Sequence, residues 1–167
     1  YREKEDFSSD YFVSLYEDNK VSLLGLTASF RTERFMKSLA GGLRDMVTME
    51  GPVYIHCLEG KDRTGFVCAL LEALAGASYE EILEDYMATY DNYYGITQDS
   101  HPEKYEAIRH LKFMDIINQL TTLPDDADFG GTVLKDSVEQ YLRDSGMTED
   151  EIQTLRDYLC KNHSEQP

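Results

Sequence analysis

The feature that most constrains the fold lies at residues 53–76, where three kinds of segment follow one another without a break. The apolar run VYIHC is typical of a short strand buried on both faces. The loop LEGKDRTG comes next, and FVCALLEALAG then repeats apolar residues at helical spacing up to Gly76, a residue typical of a helix C-terminus. A strand, a glycine loop and a helix in this order aim backbone N–H groups at an anion such as phosphate. The order predicts an α/β fold with a phosphate site at the edge of a parallel sheet.

The rest of the chain is predicted to be mainly helical. Apolar periodicity and capping boxes at Ser78 and Thr148 indicate helices over 30–50, 78–94, 103–121, 132–144 and 149–161. Two short apolar runs, 11–16 and 21–26, are further strand candidates. We therefore expect a short parallel sheet flanked by helices, with a helix-rich C-terminal half and with N-terminal strands of the sheet missing from this chain.

Length and charge limit the class of protein. The 167 residues are enough for a single domain, with a polar arm at 1–10 and an internal loop at 123–131. A net charge of −16 argues against nucleic acid and anionic membranes as partners, but a local site can still hold a small phosphorylated ligand. The sequence has no signal peptide and begins at Tyr1, so we expect an N-terminal part to be absent. Cytoplasmic and secreted or cell-surface locations, and any oligomeric state, remain open.

The chemistry is concentrated in the loop itself. Cys57 and Arg63 bracket Gly60, which lets the loop curl so that its backbone N–H groups share one centre. Arg63 adds a planar fork that matches two phosphate oxygens. The positive end of the following helix and the N–H groups favour a thiolate at Cys57, which becomes a nucleophile for phosphorus. The predicted phosphate-binding residues are Leu58, Glu59, Gly60, Lys61, Asp62, Arg63 and Thr64.

Two neighbours support this nucleophile. Thr64 can donate a hydrogen bond to the thiolate and help to discharge a phosphocysteine, and His56 is expected to fix the loop through backbone hydrogen bonds rather than act as a base. Of the other cysteines, Cys68 is interpreted as a core residue and Cys160 as peripheral. The odd number of cysteines and their spacing argue against a disulfide scaffold and a zinc site, so we expect no metal or cofactor.

The run HCLEGKDRTG resembles the C-x5-R signature of the cysteine-dependent protein tyrosine phosphatases. Its GKDRTG part resembles a bacterial branch of that family, some members of which also accept phosphoinositides. The likeness extends through EEILEDYMATYDNYY and EQYLRDSGMTEDEIQTLRDYL, and so covers about residues 50–160. The resemblance implies hydrolysis of phosphotyrosine in proteins, or of small phosphomonoesters, through a phosphocysteine. A phosphoinositide phosphatase and a non-catalytic phosphate-binding module are the alternatives.

The resemblance also implies a general acid that protonates the leaving group. The chain has no Trp, so the Trp-Pro-Asp loop of many members is absent, and Asp62 is the candidate suggested by the same Asp-Arg-Thr order in myotubularin-like lipid phosphatases. A structural role for Asp62 stays open, with Asp10 and Asp18 as the next candidates. By resemblance Lys61 contacts substrate at the rim, unless it is a solvated surface lysine. Glu59 departs from the small residue usual in this branch, and is expected either to repel a dianion or to pair with Lys61.

Two further questions have competing interpretations: the role of the tyrosines in the helix at 78–94, and the class of cysteine enzyme. The stripe Tyr86, Tyr90, Tyr93 and Tyr94 has helical spacing and is typical of packing, although one ring could instead lie beside the site and stack on a phosphotyrosine. A different cysteine enzyme, such as a thiol hydrolase or a sulfurtransferase, would not need an arginine six positions after its cysteine.

Overall fold

The computed structural model describes residues 9–130 and 132–161, and every regular element in that part of the chain is helical. The α-helices are, in chain order, α1 (Asp10–Glu17), α2 (Glu33–Thr48), α3 (Arg63–Ala75), α4 (Tyr79–Tyr94), α5 (Pro102–Ile108), α6 (Met114–Thr121), α7 (Thr132–Asp144) and α8 (Glu149–Lys161). A π-helical turn, Arg109–Phe113, joins α5 to α6. No helix in the described ranges combines the length and the apolar character needed to span a bilayer.

The predicted parallel sheet is wrong for the described residues, which contain no strand. Residues 53–57 have no regular structure, and within the described ranges they pair with no strand, whereas a sheet requires backbone hydrogen bonds between neighbours. The prediction that both faces of this run are buried is also wrong. Tyr54 is 86% exposed and stacks on the exposed ring of His56, with 5.5 Å between the ring centroids, so only the alternate residues face the core.

The other two strand candidates also have different structures. Residues 11–16 lie in α1 and not in a strand. The prediction failed because a short apolar run does not by itself distinguish a strand from a helix. Residues 21–26 have no regular structure, and the side chain of Leu24 lies so close to Gly42 of α2 that a Cβ there would be 2.5 Å from it. Of the polar arm expected at residues 1–10, residues 1–8 lie outside the described part, and Asp10 belongs to α1.

The helices predicted from periodicity are confirmed, except that the one predicted over 103–121 is interrupted by the π-helical turn at Arg109–Phe113. The predicted capping boxes are also present. Ser78 accepts a hydrogen bond from the N–H of Glu81, whose carboxylate accepts one from the N–H of Ser78. Thr148 and Glu151 form the same reciprocal pair before α8. Gly76 ends α3 in the left-handed conformation, with a φ of 100° that a side chain would disfavour.

The core is organised around α3, which is apolar on all sides and packs against α4, α6, α7 and α8. Near its start, Phe66 is fully buried and stacks on Phe30, with 4.3 Å between the ring centroids. Phe35 and Tyr141 meet Phe66 edge-on, and the Tyr141 hydroxyl donates to the carbonyl of Phe30. This aromatic cluster fixes the first turn of α3, and with it the end of the preceding loop.

Candidate active site

The loop between residues 53–57 and α3 is shaped by one glycine and by the start of the helix. Gly60 has a φ of 78°, which reverses the chain at a cost that only glycine avoids. The carbonyls of Lys61 and Asp62 accept from the N–H groups of Gly65 and Phe66, at 3.1 and 2.9 Å, and so begin α3. The predicted loop residues are therefore brought together at the N-terminus of α3, the helix around which the core is organised.

The thiol of Cys57 lies inside this loop and is half-buried. Burial by itself raises its pKa, but hydrogen bonds from the Thr64 hydroxyl and from the N–H groups of Thr64, Gly60 and Glu59 outweigh that effect and lower the pKa to about 7. A large fraction of Cys57 is therefore thiolate at neutral pH. Cys68 behaves oppositely, because burial, followed by the charges of Glu72 and Asp85, raises its pKa to about 11.

Thr64 points a buried hydroxyl into the site. Its oxygen has no hydrogen-bond partner of standard geometry among the described residues. A buried hydroxyl without a partner is costly, and its interaction with the Cys57 sulfur, which lowers the pKa of that thiol, is strongest when the sulfur is ionised. We call the Cys57 sulfur, the N–H groups of Glu59, Gly60 and Thr64, the Thr64 hydroxyl and the Arg63 guanidinium the floor of the site.

Arg63 is the first residue of α3 and is half-buried. Its Nη1 donates to the backbone carbonyl of Leu26, at 3.3 Å, in the irregular segment before α2. A guanidinium has five N–H donors, so this contact orients the side chain and leaves donors for an anion. Leu26 was not among the predicted site residues, because a backbone carbonyl has no sequence signal.

Two further predicted residues occupy the ends of the loop. Asp62 is the N-cap residue of α3, but its side chain is exposed and makes no capping hydrogen bond. The Nδ1 atom of His56 lies 3.2 Å from the carbonyl of Cys57 and, as a donor, would tie the ring to the loop backbone. Leu58 is 86% exposed, so its side chain takes no part in the floor.

A second set of side chains surrounds the entrance, and we call Glu59, Lys61 and Tyr94 the rim. The Lys61 ammonium lies 2.6 Å from the Glu59 carboxylate, and the Tyr94 hydroxyl donates to the same carboxylate at 3.1 Å. The hydrogen bond to Glu59, and then that to Tyr94, raise the pKa of Lys61, and the bond from Lys61 lowers the pKa of Glu59. Of the two expectations for Glu59, pairing with Lys61 is therefore the one observed.

The tyrosine stripe on α4 divides between the core and the rim. Tyr86 and Tyr90 are buried, with 3.4 Å between their hydroxyl oxygens, as the packing interpretation predicts. Tyr86 also lies against Gly65, where a Cβ would come within 2.7 Å of its ring. Tyr94 differs because its hydroxyl contacts the loop. Its place in the stripe, two helical turns beyond Tyr86, was the only sequence signal for that role.

In the described residues, neither the two cavities below nor a set of metal ligands identifies a different centre. The structure has cavities of about 440 and 330 Å³, but neither is lined by residues of the loop. The lowered pKa of Cys57 and the donors around its sulfur therefore identify the candidate site better than cavity size does. Within residues 9–130 and 132–161, no group of three or more His, Cys, Asp and Glu residues is arranged to hold a metal ion.

The whole helical region and this loop correspond to a known family. The tyrosine phosphatase family matches residues 10–161, and the chain therefore belongs to it. A tyrosine-protein phosphatase of Nostoc commune is 31% identical over 120 residues, which cover 64% of this chain and 38% of that protein. The triple specificity protein phosphatase PtpB of Mycobacterium tuberculosis is 46% identical over 41 residues, or 25% of this chain and 15% of that protein. The chain thus spans well under half the length of both relatives, and no solved structure matches it.

Proposed function

We propose that the loop at residues 57–64 hydrolyses phosphomonoesters, with phosphotyrosine in proteins as the principal substrate. The observation that carries this proposal is the Cys57 thiol, whose pKa is lowered to about 7 by donors of the same loop that would cradle a phosphate. Membership of the tyrosine phosphatase family supports the choice of substrate.

In the first step the Cys57 sulfur attacks phosphorus. An S–P bond forms, the bond between phosphorus and the leaving oxygen breaks, and the electron pair of that bond goes to the leaving oxygen. The N–H groups of the floor and the Arg63 guanidinium face the equatorial oxygens, where charge is held in the transition state. Because these donors are set by the backbone of α3 and its preceding turn, little reorganisation accompanies the reaction.

Asp62 is the proposed general acid of this step. Its carboxyl group has no capping hydrogen bond and is exposed, so it can extend towards the leaving oxygen above the floor. The protonated carboxyl gives its proton to that oxygen and becomes a carboxylate. In the second step water forms an O–P bond, the S–P bond breaks, and inorganic phosphate leaves. The Thr64 hydroxyl stabilises the departing thiolate, and the carboxylate of Asp62 accepts the proton of the attacking water.

Substitution of Cys57 tests the proposal directly. In the Cys57→Ser variant we expect turnover of a phosphotyrosine peptide to fall at least ~10³-fold, because the hydroxyl pKa is too far above 7 for the loop to ionise it, while vanadate still binds. Cys160→Ser, at an exposed cysteine of α8, is the matched control and should retain full turnover.

Acid quenching during turnover should also trap labelled phosphate on wild-type protein but not on Cys57→Ser. Vanadate binding without turnover or trapping in the wild type would indicate a non-catalytic phosphate-binding module instead. Efficient turnover of a soluble phosphoinositide, but not of the peptide, would retain the mechanism and replace the substrate.

A further inference from the structure

The rim carries a carboxylate in a place where a phosphate site ordinarily carries only donors and cations. Glu59 Oε2 lies 2.6 Å from the Lys61 nitrogen and accepts from the Tyr94 hydroxyl at 3.1 Å. Lys61 also lies 3.3 Å from that hydroxyl and 5.5 Å from the centroid of the Tyr94 ring. All three groups contact one another, so the carboxylate is held in one place rather than dispersed in solvent.

This network stands directly beside the floor. Glu59 and Lys61 are the residues on either side of Gly60, and the N–H groups of Glu59 and Gly60 are among those that bind the Cys57 sulfur. A phosphate placed over Cys57 therefore has the rim as its immediate neighbour. The side chains of Glu59 and Lys61 are 41% and 24% exposed, so they are accessible to a substrate that reaches beyond the floor.

We propose that Glu59, held by Lys61 and Tyr94, is a specificity-determining residue that selects against phosphomonoesters with a second anionic group beside the scissile phosphate. The inference rests on the proposed function and names its substrate class: esters whose phosphate is the single anion at the loop. Two effects act in the same direction. The carboxylate repels a second anion, and it occupies the Lys61 ammonium that would otherwise attract one.

The alternative is that the rim attracts a second phosphate. If that phosphate displaced Glu59 from Lys61, the lysine would become a subsite for polyphosphorylated substrates. The geometry favours exclusion, because displacement would have to break the ion pair and the Tyr94 hydrogen bond together and leave the carboxylate beside the incoming charge.

The test compares two phosphotyrosine peptides of one sequence that differ only in the residue after the phosphotyrosine, which is Gln in one and phosphoserine in the other. At low ionic strength, we expect wild-type kcat/KM to favour the Gln peptide by about tenfold or more, since screening is weakest there. In Glu59→Gln, which keeps the shape and removes the charge, we expect that preference to fall by about tenfold.

Tyr94→Phe removes the hydroxyl but keeps the ring, so the preference should fall by about threefold through weaker positioning of Glu59. Tyr93→Phe, at the adjacent exposed tyrosine outside the network, is its matched control and should leave the preference unchanged. Lys61→Met leaves Glu59 unpaired, and we expect it to increase the preference for the Gln peptide. This variant tests the inference even if Glu59→Gln does not fold.

The outcomes separate this inference from the proposed function. An unchanged preference in a folded, active Glu59→Gln, or a loss of preference in Lys61→Met, would overturn the role of Glu59 and leave the phosphatase proposal standing. A wild-type preference for the phosphoserine peptide would also overturn it. If wild type hydrolyses neither peptide and forms no phosphocysteine, the proposed function itself fails, and the inference fails with it.

Discussion

The floor and the rim share one short loop but are built from different kinds of group. The floor uses backbone N–H groups, one hydroxyl and an arginine, which are set by the backbone of the loop, the first turn of α3 and the carbonyl of Leu26. The rim uses the charged side chains of Glu59 and Lys61, which are partly exposed and held by α4 through Tyr94. The strength of a hydrogen bond from a fixed backbone N–H changes little with salt or with a nearby substitution, whereas the strength of an exposed ion pair changes with both. We therefore expect floor variants to alter the rate of chemistry and rim variants to alter the choice of substrate.

We expect the largest of these effects at Asp62, the residue between Lys61 of the rim and Arg63 of the floor. If its carboxyl protonates the leaving group, Asp62→Asn should lose ~10²–10⁴-fold in kcat/KM on phenyl phosphate. The loss should be far smaller on p-nitrophenyl phosphate, whose leaving group departs readily as an anion. The measurement is kcat/KM on a series of aryl phosphates of increasing leaving-group pKa.

Asp136→Asn, at an exposed position of α7, is the control for a lost surface charge and should show no dependence on the leaving group. Equal losses on all esters in Asp62→Asn would assign Asp62 a structural role. Asp10 and Asp18 would then be the next acids to substitute.

Arg63 is the next largest test, because it is the charged part of the floor. Arg63→Lys keeps the charge but loses the planar fork, so kcat should fall ~10²–10³-fold, as expected when a transition-state donor is removed. Steady-state kinetics with a phosphotyrosine peptide gives kcat and KM separately. Arg143→Lys, in a surface ion pair with Glu139 and Glu149, is the control and should behave as wild type. A change in KM alone would contradict the transition-state role.

Thr64 gives a smaller effect with a distinctive dependence on pH. With the Cys57 pKa at about 7, kcat/KM should fall as the pH drops below 7, because the thiolate is protonated. Thr64→Val removes the hydroxyl that lowers this pKa, so the acid limb should move about one pH unit upward and activity at pH 6 should fall about tenfold.

Thr64→Ser keeps the hydroxyl and should restore the wild-type limb. Because kcat/KM covers only the steps up to formation of the phosphocysteine, a slower discharge of that intermediate would change kcat without moving the limb. An unmoved limb in Thr64→Val would show that the hydroxyl does not stabilise the thiolate.

The smallest of the four effects concerns stability rather than chemistry. In Gly65→Ala the new methyl would lie 2.7 Å from the buried ring of Tyr86, so we expect a loss of about 1–3 kcal/mol in the free energy of unfolding. Gly41→Ala, in α2 with nothing within 4 Å of the added Cβ, should instead gain about 0.5–1 kcal/mol. Urea unfolding followed by circular dichroism measures both. A stabilised Gly65→Ala would mean that α4 can move away from the loop.

The helical part of the fold was predictable because its signals are local. Side chains three and four residues apart, the capping boxes at Ser78 and Thr148 and the glycine at Gly76 each act within one or two turns. The sheet was not predictable in the same way. A strand exists only if another segment pairs with it, and residues 53–57 have the composition of a strand without such a partner among the described residues.

In the candidate site, too, local features were predictable and contacts between distant residues were not. The spacing of Cys57, Gly60 and Arg63 predicted a ring of donors, because the backbone of a short loop has few ways to close. The contact of Arg63 with Leu26 and the hydrogen bond of Tyr94 to Glu59 join residues 37 and 35 positions apart. Such contacts depend on how α2, α3 and α4 pack, which no single stretch of sequence specifies.

Helix α4 touches the loop at two levels, and this has a mechanical consequence. Tyr86 lies against Gly65 at the first turn of α3, and Tyr94, eight residues or roughly 12 Å further along the axis, reaches the charged side chains at the entrance. The helix therefore links the buried start of α3 to the charged entrance of the site. Because the backbone of Glu59 also donates to the Cys57 sulfur, a substitution that shifts α4 on α3 should change the entrance and the nucleophile together.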